Sequence, residues 1–167
     1  MTTIRPATAG DAGLILSLVR ELAEYEREPH AVKLTEAELI CDGFPGSGDR
    51  YFEALIAEED GLPAGFALFF PVYSTWRGRA MHLEDLFVRP RFRGRGIGRA
   101  LLQRVAAIAV ERGCKVLYWH VLDWNTPAID FYKTLGAEAL DDWTRMRVKD
   151  GALMVLAEAK LPAAVRK

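Results

Sequence analysis

The spacing of apolar positions changes several times along the chain, and each change marks an element. Thr2–Pro6 predicts a short opening strand. Leu14, Ile15, Leu18, Val19 and Leu22 then recur at intervals of three and four, the spacing of one helix face, with Thr8 or Asp11 placed to cap its start. Thr35-Glu-Ala-Glu38 has the spelling of a capping box and opens a second, short helix. The composition of 44–50 is that of a loop. Tyr51–Ala57 and Ala64–Val72 predict two strands joined by a hairpin connection over 58–63, and His82–Val88 predicts the next strand. After it, Ile97, Leu101, Val105 and Ile108 outline another apolar helix face, which Gly113 ends. Lys115–Val121 predicts a strand, Thr126–Leu135 a helix with Pro127 in its first turn and Gly136 at its stop, Trp143–Val148 a closing strand, and Gly151–Ala159 a short helix. This order predicts an α/β fold: a central mixed sheet covered by helices, with the strand–helix–strand unit over 82–121 locally parallel.

Between the strand 82–88 and its helix, the string Arg93-Gly94-Arg95-Gly96-Ile97-Gly98-Arg99 changes the picture from fold to chemistry. Glycines at alternate positions let the backbone turn tightly and bring N–H groups to one point, and the helix that follows adds the positive end of its dipole. Together they form a cradle for phosphate. Arg99 stands where a dinucleotide fingerprint needs glycine, and no Gly-x4-Gly-Lys-Ser/Thr string occurs in the chain.

Length and composition limit what surrounds the cradle. A chain of 167 residues, half of them hydrophobic and 27% charged, is expected to form one globular domain over 1–167. A net charge of −1 gives no overall attraction to nucleic acid, despite the local cluster Arg89, Arg91, Arg93, Arg95 and Arg99. Cys41 and Cys114 lack metal-ligand spacing, as do His30, His82 and His120, so no metal site is expected. Without a long apolar run or a signal-like start, the expectation is a cytoplasmic protein with no membrane partner.

The pattern Arg-x-x-Gly-x-Gly after a strand resembles the pyrophosphate-binding segment of the GNAT acetyltransferase superfamily. The later string Asp123-Trp-Asn-Thr-Pro-Ala-Ile-Asp-Phe-Tyr132 resembles its second signature. The resemblance runs the length of the chain and implies the GNAT fold: a twisted, mostly antiparallel mixed sheet flanked by helices. It also implies acetyl-CoA as co-substrate, with contacts from Leu86, Phe87 and Val88, from Arg93, Gly94, Arg95, Gly96, Ile97, Gly98 and Arg99, and from Asn125, Thr126, Pro127 and Ala128. Tyr132 is then both a cofactor contact and the general acid, since a phenol near ~10 stays protonated at neutral pH and can serve a departing thiolate.

Glu84 and Asp85 stand side by side in an otherwise apolar strand, where alternation would turn them to opposite faces. A primary amine near ~10.4 is protonated at neutral pH and needs a base before it can attack a thioester; Glu84 fits that role, and Asp85 suits a second cationic group. The surrounding strings resemble the diamine (spermidine/spermine) acetyltransferase branch, and Tyr73-Ser-Thr-Trp76 with Val121-Leu-Asp-Trp-Asn125 resembles its thialysine-acetylating members. Polyamine-specific members carry an acid where this chain has Ser74. The resemblance implies substrate contact by Tyr25, Glu26, Ser74, Trp76, Glu84, Asp85 and Trp124, direct transfer in a ternary complex, and a homodimer. Rival readings are a GNAT enzyme for another amine, such as a protein N-terminus or antibiotic, and a non-catalytic acyl-CoA-binding regulator.

Overall fold

The computed structural model describes residues 1–159; the last eight positions of the domain expected over 1–167 lie outside the described residues. The chain divides into two compact units, Met1–Trp124 and a second that begins at Asn125.

The first unit is a five-stranded sheet in sequence order: β1 (Thr2–Pro6), β2 (Glu53–Glu59), β3 (Leu62–Ser74), β4 (Gly78–Val88) and β5 (Val116–Trp119). The first three pairings are antiparallel and the last, β4 with β5, is parallel. α1 (Ala12–Tyr25) and α2 (Glu36–Gly43) follow β1, and α3 (Ile97–Glu111) makes the crossover from β4 to β5. The expected strand–helix–strand unit is therefore present, and a parallel pair requires such a crossover.

The core lies on both faces of the sheet. On one, Ile15, Leu16 and Leu18 of α1 and Leu39 of α2 pack with Ile56, Phe66, Leu68 and Phe87. For the other, α3 supplies Ile97, Leu101, Leu102, Val105 and Ile108, all buried, and packs against β3 and β4. These are the apolar faces that the helical spacing outlined. The Thr35 capping box forms as written: Thr35 Oγ1 accepts from Glu38 N at 3.3 Å, and Glu38 Oε2 accepts from Thr35 N at 2.8 Å. At the start of α1 the two candidate caps act together. Thr8 N donates to Asp11 Oδ2 at 2.8 Å through a short 3-10 turn (Ala9–Asp11), and Asp11 stands at the N-cap position of α1 without a side-chain bond to that helix.

Three sequence expectations need correction. The connection between β2 and β3 is two residues, Asp60-Gly61, not six. Both have positive φ (51° and 77°), the mirror-type turn whose twist matches a hairpin and which an Asp-Gly pair favours. β5 spans only Val116–Trp119, shorter than the expected 115–121. No strand forms over 143–148. The alternation is present there, but a strand exists only when a neighbouring ladder takes its backbone groups, and these six exposed residues belong to none of the described strands. The second unit instead holds two helices, α4 (Thr126–Lys133) and α5 (Asp150–Glu158).

Asp11 ties the first unit together. Arg5 of β1 donates to its two oxygens at 2.9 and 2.8 Å, and also reaches Glu58 of β2 at 3.0 Å. The Arg5 guanidinium, ahead of the Thr8 hydrogen bonds, holds the Asp11 carboxyl far below the ordinary carboxylate range. A carboxyl depressed in the folded state contributes stability above its unfolded value near ~4, and that contribution fades as pH falls through and below it. Asp11→Ala is therefore expected to cost about 2 kcal/mol at pH 7 and markedly less at pH 3. Urea denaturation at the two pH values checks this; an equal cost at both would show that the ion pair is not the cause.

Candidate functional site

The site grows out of two irregularities in β4. The first is a bulge. Asp85 lies opposite Leu68 of β3 and Leu83 lies opposite Phe69, so Glu84 is an extra residue without a partner on β3. Leu68 and Phe69 are adjacent and face opposite sides, so the bulge reverses the alternation between Leu83 and Asp85. The simple expectation that alternation separates the two carboxyls fails here, because the bulge interrupts the pleat at that point.

The second irregularity is an early end to pairing. The parallel ladder stops at Leu83–Trp119, whereas β4 continues for five more residues to Val88. Leu86, Phe87 and Val88 remain paired to β3, through Ala67, Phe66 and Gly65, but no described strand pairs with their other edge. Backbone N–H and C=O groups on that edge are left for a ligand.

The glycine segment follows directly, after a 3-10 turn at Pro90–Phe92. Gly94 and Gly96 have φ of 74° and 80°, a region that side chains disfavour, and Gly96 is the N-cap of α3. Having no side chain, it caps nothing, and the first N–H groups of the helix stay open to an anion. Gly98 lies in the helix, where a Cβ would meet Val88 Cγ2 at an ordinary 3.7 Å. Neither φ nor crowding inside the protein demands glycine there.

The arginines around this loop divide into two groups. Arg89 is committed internally: its Nε lies 2.9 Å from Glu21 Oε2, its Nη2 lies 2.6 Å from Glu21 Oε1, and Nη1 donates to the Pro63 carbonyl at 2.9 Å. Arg93 Nε donates to Val88 O at 2.9 Å, and its guanidinium lies 4.6 Å from the Tyr25 ring centre. These two fasten the cradle to the end of β4 and to α1. The local arginine cluster is thus not one uniform anion-binding set, since the Arg89 guanidinium is spent on Glu21. Arg91, Arg95 and Arg99 remain exposed.

An acidic corner stands beside the open edge. Burial raises the Asp85 carboxyl, and the charges of Glu84 and Glu26 raise it further, to about 7. Burial also raises Glu26, at the end of α1. Tyr25 and Trp124 bring their rings within 6.0 Å of each other, and the Arg27 guanidinium lies over the Trp124 indole at 4.7 Å. Thus the expected contacts Tyr25, Glu26, Glu84, Asp85 and Trp124 include three carboxyls and two aromatics suited to a cation. Ser74 and Trp76 do not join them. They sit at the β3–β4 hairpin tip, where Ser74 Oγ accepts from the Trp76 and Arg77 amides at 3.3 and 3.1 Å. Six residues of strand separate Gly78, opposite Ser74, from Glu84, a span of about 20 Å.

His82 is the residue that sequence reasoning passed over. It was grouped with His30 and His120 as scattered, yet its Nε2 lies 3.2 Å from Glu84 Oε2. Its position two residues before Glu84 on the same strand was the available signal.

In the second unit, Asn125 is the N-cap of α4 and is followed by Thr126, Pro127 and Ala128 in the first turn. Tyr132 lies in the last turn and is half-buried, its ring 5.3 Å from Phe131. Among the described residues no group of metal-ligating side chains forms, and no helix is long and apolar enough to cross a membrane.

Comparison with known proteins adds an independent line. The acetyltransferase (GNAT) family model matches residues 15–137. The pig protein named thialysine N-epsilon-acetyltransferase is 42% identical over 167 residues, covering 92% of this chain and 96% of that protein. An L-ornithine N5-acetyltransferase of Arabidopsis thaliana is 39% identical, covering 92% and 86%. A solved integron cassette protein from the mobile metagenome of V. cholerae superposes with a TM-score of 0.77 at 25% identity, covering 95% of this chain and 98% of that one.

The raised Asp85 carboxyl has a consequence for stability. Its folded value, about 7, exceeds the ordinary unfolded value near ~3.9, so it opposes folding increasingly as pH rises between them. Asp85→Asn is expected to gain stability relative to the native protein between pH 5 and pH 8, by about 2 kcal/mol. Thermal unfolding at both values measures this, and a pH-independent difference would refute the burial of that charge.

Proposed function

The chain belongs to the acetyltransferase (GNAT) family, and from that premise we propose that this N-acetyltransferase moves acetyl from acetyl-CoA to a primary amine of a small molecule, such as a diamine or a thialysine-like amino acid, by direct transfer in a ternary complex. The observation that carries the reading is the free edge of β4 between the acidic corner and the uncapped start of α3. It fits a ligand that is extended along one part and anionic at the other. The α3 N-terminus takes pyrophosphate, aided by Arg95 and Arg99, while the edge at Leu86–Val88 accepts an amide-bearing arm and directs N–H groups at the thioester oxygen, where charge develops.

Acetyl-CoA supplies the activated acetyl group, and this chain's residues supply the rest. Three carboxyls and the Tyr25 and Trp124 rings draw in an ammonium ion. Glu84 accepts the proton that the amine must lose before its lone pair attacks, and Asp85 offsets the charge of the bound cation. The new C–N bond forms at the thioester carbonyl as the C–S bond breaks, the Tyr132 phenol gives its proton to the departing sulfur, and the second proton shed by the acylated nitrogen passes to solvent, which restores the phenol. The positions of Ser74 and Trp76 favour compact amines over long polycations within one protomer, because no acid extends the corner towards the hairpin tip. Assembly as a homodimer belongs to the same proposal.

Thiol release from acetyl-CoA, followed across thialysine, lysine, ornithine, spermidine, spermine and short diamines, tests this. Thialysine and ornithine are expected to outpace spermine. No turnover on any amine, alongside tight acetyl-CoA binding by calorimetry, would favour a non-catalytic acyl-CoA-binding role. Tyr132→Phe is expected to lower kcat by about 100-fold with little change in acetyl-CoA binding; unchanged turnover would assign the acid elsewhere.

A further inference from the structure

His82 has a position that the reaction described above does not use. It stands on β4 two residues before Glu84, its side chain only 12% exposed, against 44% for Glu84. Phe70 lies directly opposite it on β3 with ring centres 5.1 Å apart, and the His120 ring, just beyond β5, also lies 5.1 Å away. Two rings thus hold the imidazole, and Nε2 is left 3.2 Å from Glu84 Oε2. The Glu84 backbone is the unpaired residue of a bulge, so β3 does not fix its side chain through a cross-strand neighbour. The neighbouring Asp85 is another carboxyl, on which the charges of Glu84 and Glu26 both act.

We infer that His82 is the positioning residue for the amine-deprotonating carboxylate: its Nε2–H donates to Glu84 Oε2, fixing Glu84 at the open edge of β4 in a single orientation. The inference rests on the reading of Glu84 as the base. An exposed glutamate has three rotatable bonds, and a base that wanders by an ångström loses much of its effectiveness. A buried ring clamped between Phe70 and His120 has no such freedom, so it can impose its own order on the carboxylate. His82 touches neither substrate nor thioester in this scheme.

His82→Phe keeps a ring between Phe70 and His120 and removes the donor; His82→Gln restores a donor at nearly the Nε2 position. With thialysine and acetyl-CoA, His82→Phe is expected to lower kcat about tenfold while the KM for acetyl-CoA and the melting temperature stay near native. His82→Gln is expected to recover most of that loss. A His82→Phe kcat within twofold of native, or a Gln variant no better than Phe, would overturn the inference. A second measurement separates this outcome from failure of the proposed activity. Nitrogen-15 NMR of the imidazole, on protein without substrate, is expected to show the proton on Nε2 and a change in that signal in Glu84→Gln. A native protein that turns over no amine yet shows this coupling would lose the proposed function and keep the His82–Glu84 contact; an unchanged signal would remove the contact itself.

Discussion

The structure turns on the end of the β4–β5 ladder. Two parallel strands that part company expose backbone groups that water or a ligand must satisfy, and in a folded domain such a gap costs stability unless it is used. Here β5 pairs only with Ala80–Leu83, and of the β4 residues beyond, Asp85–Val88 are paired among the described strands only to β3. Several of the first unit's chemically distinctive groups lie along this strand and at its end. The bulge places Glu84 and Asp85 at its beginning, and the glycine turn places the start of α3 just past its end. Carboxyls, an edge without a described partner strand and a helix terminus without a side-chain cap thereby follow one another along the chain.

An open edge needs rigid surroundings, and charged side chains supply part of them. The Arg89 guanidinium grips Glu21 of α1 and the Pro63 carbonyl, so the exit of β4 is tied to a helix and to the β2–β3 hairpin at once. Arg93 adds a bond to Val88 O and packs on Tyr25. These contacts explain why a short segment holds so many arginines without the protein as a whole being basic. Some are struts and others face solvent. Sequence alone cannot sort them, since an arginine in a strut and an arginine for phosphate have the same spelling.

The helices, the antiparallel strands, the capping box and the glycine cradle were all legible in the sequence, because each depends on residues close together in the chain. Ile15, Leu18 and Leu101 are buried where their spacing put them, and Thr35 and Glu38 exchange the bonds their spacing implied. What escaped depends on partners. The segment 143–148 alternates well but joins none of the described strands. The bulge at Glu84 arises from the register between β3 and β4, which no periodicity within β4 reveals. His82 escaped for the same reason: its meaning comes from Phe70 across the sheet and from His120, far along the chain. Ser74 and Trp76 carried a family likeness without a local physical argument, and the strand length sets them about 20 Å from the acids.

On the proposed reading, a carboxyl pair next to an open edge favours a cation over other polar groups. Burial and mutual repulsion already hold Asp85 at about 7, so the corner in the absence of a ligand is poised between protonation states. An incoming ammonium ion would lower the cost of ionising Asp85, which strengthens its own binding in turn. A neutral or anionic ligand receives no such return. Once the ammonium gives up its proton, the attraction that held it weakens as the amine becomes a nucleophile. Binding energy spent on the charged form is thus released at the step where the neutral form is needed, and the geometry asks only that the accepting carboxylate be held still at that moment.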